Sequence, residues 1–344
     1  MLERLPRPLA LALAALLAAA CAWCLTLPAS PPAQTPGNPY TDLMLYRDIA
    51  EAVRGGTPYH QAAAELQRAH GYPTRPFITM REPTLYIIAA RLGWDTLRYA
   101  ALALVLANIA AWTTALPRTL SPLERVGAAA GIALGSAAIV STPLLAATEL
   151  WCGLLLALAL ALRLGWRERW WLALATVAAA LALRELALPF ALLAAAWAAW
   201  ERRWPELAGW CGLIALFAIG MGFHAAAELA QVQPGDLVSP GWSGGQGLRG
   251  VLLAITYSSV WQQVWPPLAL LLALLPALGW AALAGRGAAF AQMLLGGYAV
   301  MLALFARADN FYWGFLILPT WFAGYALIPR ALAQLGRAIS SPPR

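Results

Sequence analysis

The feature that most constrains this chain is repetition: continuous apolar runs return again and again, with the ionisable residues gathered between them. A bilayer core needs roughly 20 apolar residues per helix. Leu- and Ala-rich runs of about that order begin near residues 8, 96, 126, 148, 208, 266, 288 and 312. Transmembrane β-barrels show alternation instead of continuous runs, so the expected class is an all-α, polytopic membrane protein. Only 11% of the 344 residues are charged, against about 25% in soluble domains. The net charge of +7, carried wholly by Arg with no Lys, would point to nucleic acid in a soluble protein. In a membrane chain it sets topology, because cytoplasmic loops collect basic residues. Nucleic acid is therefore not an expected partner.

Laid end to end, the segments number about ten, and residues 1–344 read as one integral membrane domain. A first span at 8–27 is long for a cleaved signal and is expected to persist as a helix. A polar stretch, 28–82, and a short segment, 83–92, precede spans at 96–116, 126–145 and 148–165. The apolar run 170–200 is interrupted by Arg184 and Glu185. As one helix it would measure about 46 Å, so two short crossings joined by a turn are expected, with Pro189 starting the second. A span at 208–227 leads to a second polar stretch within 229–264, whose 250–264 part reads as interfacial or re-entrant. Spans at 266–283, 288–306 and 312–329 and a short basic tail complete the chain.

Charge bias orients these segments. An inside N-terminus puts Arg4, Arg7, Arg118, Arg125, Arg163, Arg167, Arg169, Arg202, Arg203, Arg286, Arg330, Arg337 and Arg344 on the cytoplasmic face. The expected location is a bacterial inner (plasma) membrane, crossed many times, with both termini cytoplasmic. The opposite side then receives the 28–82 loop, the turn at Arg184 and Glu185, the 229–249 loop and residues 307–310.

Candidate chemistry concentrates in the first of those loops. Thr41 or Asp42 can cap a helix whose apolar stripe runs through Leu45, Tyr46, Ile49, Ala50 and Val53. That stripe suits a helix lying on the membrane surface, ended by Gly55 and Gly56. A second amphipathic helix is expected over 60–70. A carboxylate held at headgroup level, such as Asp42, can act as a general base toward an incoming hydroxyl; the alternative is an N-cap. Tyr46 suits the interface, and Arg81 beside Glu82 can offer a guanidinium to a phosphate or anchor the chain. Arg184 and Glu185 are candidates because ionisable groups in apolar runs are costly unless they meet protein, water or substrate.

His224 and Glu228 stand four apart near a helix end and can share a hydrogen bond or touch substrate. With three histidines in the chain and no HExxH, no dedicated metal site is expected. Glu149 opens a span and reads as a helix-start charge. The glycine-rich phrase before Arg249 lacks the Lys of a phosphate-binding P-loop, leaving Arg249 as an anion candidate on a loop. Arg307, Asp309 and Asn310 gather beside aromatic residues at one boundary. Cys21 and Cys24 have CxxC spacing, but without a second pair they read as structural.

Taken with Tyr40-Thr41-Asp42, Tyr46, Gly55-Gly56-Thr57-Pro58-Tyr59 and Arg81-Glu82-Pro83-Thr84, this organisation resembles the GT-C class. These are polytopic glycosyltransferases that use polyprenyl-phosphate sugars, and the nearest branch is that of the bacterial membrane mannosyltransferases. The resemblance implies sugar transfer from a polyprenyl-phosphate donor to a lipid or glycan acceptor, with no cofactor. It implies that Asp42 is the base and that Arg184, Arg249 and Arg307 are candidates to hold the lipid phosphate. Glu82-Pro83 stands where the class often has a proline pair. A multi-pass lipid or solute transporter, or a non-catalytic assembly subunit, would be built from the same segments.

Overall fold

Backbone groups in hydrocarbon have no water to bond, so apolar runs of this kind must satisfy them within helices. The computed structural model describes residues 2–27, 40–117 and 119–341. The start of the 28–82 loop, Arg118 and Arg344 lie outside them. Among the described residues the regular structure is all helical, apart from one bridge between Arg75 and Val238. The helices begin with α1 (Arg7–Thr26), α2 (Asp42–Arg54), α3 (Tyr59–Ala69), α4 (Thr84–Leu92) and α5 (Trp94–Ala115). Next come α6 (Pro122–Gly135), α7 (Thr148–Gly165), α8 (Trp170–Leu181), α9 (Leu188–Trp200) and α10 (Trp204–Leu229). The last are α11 (Gly247–Tyr257), α12 (Pro266–Ala281), α13 (Arg286–Phe305), α14 (Leu318–Ala323) and α15 (Ile328–Ser340).

Five of these, α1, α5, α7, α10 and α13, are long and apolar enough to cross a membrane, and a bent pair at the C-terminal end raises the number to six. Shorter apolar helices fill the spaces between them. This is an all-α, multi-pass membrane protein. Its axis is α7, 72% buried along its apolar window against 11% for α1 and 17% for α10. Trp112 and Asn108 of α5 donate to the Ala157 and Leu154 carbonyls of α7.

Two expected spans take other forms. The segment 126–145 is helical only to Gly135, after which the chain continues as single turns, Ala137–Val140 and Pro143–Ala146. Ser136 turns its hydroxyl back onto the Ile132 carbonyl there. A Cβ at Gly131 or Gly135 would collide with the Phe322 or Leu318 carbonyl, so α6 presses its backbone onto α14. The segment 312–329 is likewise not one helix. Residues Ala308–Leu316 form tight turns, and the chain then bends by 66°. Pro319 and Pro329 supply no backbone N–H and sit at helix starts, where none is needed. The expected basic tail is the amphipathic α15, which buries Ala331, Leu335 and Ala338 and packs on α1 and α12.

The run 170–200 is broken where its charges stand. Helix α8 ends at Leu181, Arg184 is extended, and Pro189 lies in the first turn of α9. The ion pairs sort to two ends of the bundle. At one end Arg163 meets Glu206 at 2.5 Å and Arg203 meets it at 3.0 Å, while Arg167 and Arg286 both face Glu201. At the other end stand α2, α3, the break at Arg184 and the loop after α10.

Candidate functional site

The site grows from α2 and α3, the two short helices of the first loop. Thr41 is the cap of α2 and accepts from the Met44 amide at 3.4 Å. That leaves Asp42, the first residue of the helix, with its carboxylate free of the capping role. The Tyr72 hydroxyl hydrogen-bonds Asp42, and burial together with that carboxylate pushes its pKa up, so the phenol keeps its proton. The charge of Asp42 is also felt at Tyr46 and Tyr312, which places it beside the next layer of the site.

That layer centres on Arg81, only 6% exposed. Its Nε donates to the Tyr46 hydroxyl at 3.0 Å, and its Nη2 donates to the Tyr312 hydroxyl at 3.2 Å. The guanidinium stands over both rings, and the Tyr59 hydroxyl donates to the Arg81 carbonyl at 2.6 Å. Asn310 joins through Tyr312, donating to its hydroxyl at 3.0 Å. The counter-charge is Glu149, 1% exposed in the first turn of α7, where the helix dipole favours an anion. One of its oxygens lies 3.1 Å from Arg81 Nη1 and 3.0 Å from Arg184 Nε. Arg184 also reaches Glu185 at 3.3 Å.

Glu82 closes the layer by accepting the Glu185 backbone N–H at 2.8 Å. Burial and the neighbouring Glu185 carboxylate push Glu82 well above the usual carboxylate range. Two arginines and three carboxyl groups thus share one buried layer. The Arg184 guanidinium is held by ion pairs to Glu149 and Glu185, the Glu82 and Glu185 carboxyl groups interact side chain to side chain, and Asn310 Oδ1 is buried without a hydrogen-bond partner. Buried charges are normally paired, and this layer pairs its own.

A second cluster lies behind Met80. His60 of α3 donates from Nδ1 to Glu228 of α10 at 2.7 Å, and His224 Nε2 bonds the Met80 carbonyl at 3.3 Å. The loop after α10 is fastened separately: Arg68 meets Asp236 at 2.6 Å and holds its pKa well below the usual carboxylate range. A cleft of about 200 Å³ between them is lined by Arg68, Tyr72 and residues 233–237.

Thus Tyr46, Arg81, Glu82, Arg184, Glu185 and Asn310 come together, with Asp42 at their edge and His224 behind Met80. Arg307 and Asp309 pair with each other at 2.7 Å, and Arg307 also donates to the Gly241 carbonyl at 2.9 Å. Both serve the loop. Arg249 is half-buried in the first turn of α11, and its charge is felt at Tyr257 near the end of the same helix. In the sequence Glu149 reads first as a helix-start charge, with a functional role as the alternative, and Tyr59, His60 and Tyr312 carry no assigned role. An acidic residue opening the most apolar surroundings was the available signal for Glu149. In comparisons with known proteins, the chain matches no protein-family model, no curated protein and no solved structure.

Proposed function

We propose that the chain is a GT-C-like glycosyltransferase that moves a sugar from a polyprenyl-phosphate carrier to a lipid or glycan acceptor at the extracytoplasmic membrane face. One observation carries this reading: a carboxylate freed from capping, Asp42, borders a buried layer in which two arginines gather around Glu149 and Glu185. In the proposed step the acceptor O–H gives its proton to Asp42 as its oxygen bonds the anomeric carbon. The bond from that carbon to the phosphate oxygen breaks, and the phosphate leaves with the electron pair. A single displacement of this kind inverts the anomeric centre. Charge grows on the departing phosphate, where preorganised donors act most strongly. Arg184 is the candidate, since it stands at the break between α8 and α9 and its guanidinium is paired with carboxylates, Glu149 and Glu185, with which a phosphate would compete. Arg81 is committed to two tyrosines and Glu149 and positions the layer.

The test uses the purified chain in lipid vesicles with synthetic polyprenyl-phosphate sugars, reading labelled acceptor and released polyprenyl phosphate by mass spectrometry. Product should form with the wild type. Arg184→Ala should raise the donor KM but also destabilise the fold, since it leaves Glu149 and Glu185 short of a counter-charge. Arg184→Lys, which keeps the charge, should restore folding and rescue the KM only in part because the planar fork is lost. Vesicles that translocate the lipid without covalent product would replace this reading with a transporter.

A further inference from the structure

The cluster behind Met80 has features that its hydrogen bonds do not account for. His224 and Glu228 stand four residues apart on α10, and His60 reaches them from α3. One donor atom from each residue lies within 4.8 Å of the others. A carbonyl oxygen carries no proton, so the contact of His224 Nε2 with Met80 O requires Nε2 to be the donor. In the neutral ring this turns the Nδ1 lone pair toward Glu228, 3.9 Å from its Oε1. Two acceptors then face each other in a buried place, and both His224 Nδ1 and Glu228 Oε2 lack a hydrogen-bond partner. What such a pair accepts is a cation. We infer that His60, His224 and Glu228 bind a divalent transition-metal ion of the zinc type, fastening the first loop to α10.

Donor chemistry and spacing agree with this assignment. Two imidazoles and one carboxylate form a donor set suited to zinc. Bonds of about 2.0–2.1 Å in tetrahedral array put donors roughly 3.3–3.5 Å apart. The separations of 2.7 Å from His60 and 3.9 Å from His224 to Glu228 straddle that value, so small side-chain movements suffice. The bond from His224 to the Met80 carbonyl is the outer contact that fixes the tautomer and ring orientation of a metal-binding histidine. The Phe77 ring stands edge-on to His224. Binding through Nδ1 moves the His60 ring proton to Nε2, and the 28% exposure of the side chain lets water accept from that N–H. Since Met80 precedes Arg81, an ion here also fixes the backbone that presents the guanidinium.

The proposal is independent of sugar transfer, and its test requires none. Tag-free protein in detergent would be stripped with EDTA, reloaded with Zn²⁺, desalted and assayed by elemental mass spectrometry. About one zinc per chain is expected, with an apparent affinity at least about 100-fold weaker in His224→Ala and Glu228→Gln. With Co²⁺ the wild type should show the visible bands of a tetrahedral site, and His60→Asn should lose them. EDTA should lower the melting temperature of the wild type and leave that of His60→Asn unmoved. Because His60 is partly exposed, His60→Asn decides the matter even if the two α10 variants fail to fold. Substoichiometric zinc in the reloaded wild type, or equal zinc in wild type and His60→Asn, would overturn the site.

Discussion

Asp42→Asn should lower the rate of sugar transfer by roughly 10²–10⁴-fold, the usual contribution of a positioned general base. The substitution is informative because the helix start does not depend on this side chain. Thr41, not Asp42, caps α2, so an amide at position 42 leaves the helix start intact. The loss of a charge beside the helix N-terminus costs about 0.3–1 kcal/mol. Tyr72 keeps an oxygen acceptor in the amide, and α2 retains its buried face of Leu45, Tyr46, Ile49 and Ala50. Initial rates from a labelled polyprenyl-phosphate sugar, with melting temperature as the control, check this result. Near-normal turnover in a well-folded Asp42→Asn protein would remove Asp42 from the chemistry.

Glu149→Gln should cost roughly 3–5 kcal/mol of stability, because it leaves buried guanidinium groups without their shared counter-charge. Arg81 would keep two phenol acceptors and Arg184 would keep Glu185, but neither phenol carries charge. The whole array behaves differently from its parts. Replacing a buried ionic group entirely by apolar residues of similar volume is often neutral. A triple variant, Arg81→Met with Glu149→Leu and Arg184→Met, should therefore regain part of what Glu149→Gln loses while remaining unable to bind donor. Denaturant unfolding in mixed micelles measures both variants. A Glu149→Gln protein within about 1 kcal/mol of wild type would mean that water reaches the layer and screens it.

The local features of this chain were legible in its sequence because they rest on local chemistry. The stripe through Tyr46 and Ile49 gives α2, Gly55 stops it, and α3 follows within a residue of its expected start. The break at Arg184 was legible for the same reason, since a charged pair and Pro189 fall in a run too long for one helix. The site was legible in composition but not in pairing. Arg81 meets Tyr312 across 231 residues, Glu185 meets Glu82 across 103, and His60 meets Glu228 across 168. No periodicity encodes such distances. The C-terminal bend was missed because hydropathy alone cannot tell a straight apolar helix from turns and short helices divided by Pro319 and Pro329. Three histidines in 344 residues looked too few for a metal site, yet the fold gathers two of them.

The broken run also bears on how the chain enters its membrane. Helix α8 has 12 residues and α9 has 13, so each arm is roughly 18–20 Å long and shorter than a hydrocarbon core of about 30 Å. Neither arm is long enough to cross alone, and we predict that the two integrate as one hairpin with Arg184 and Glu185 at its tip. Each such charge costs about 2.5–3.5 kcal/mol at the centre of an inserting helix. Their partners, Glu82 and Glu149, are both made earlier in the chain, so the tip meets a receiving surface as it leaves the ribosome. The order of synthesis is thus part of what makes the hairpin admissible. A nascent chain halted after α10 should integrate the hairpin fully, and one carrying Glu149→Ala should leave it in the water-exposed state that site-specific labelling of the 182–187 tip reports.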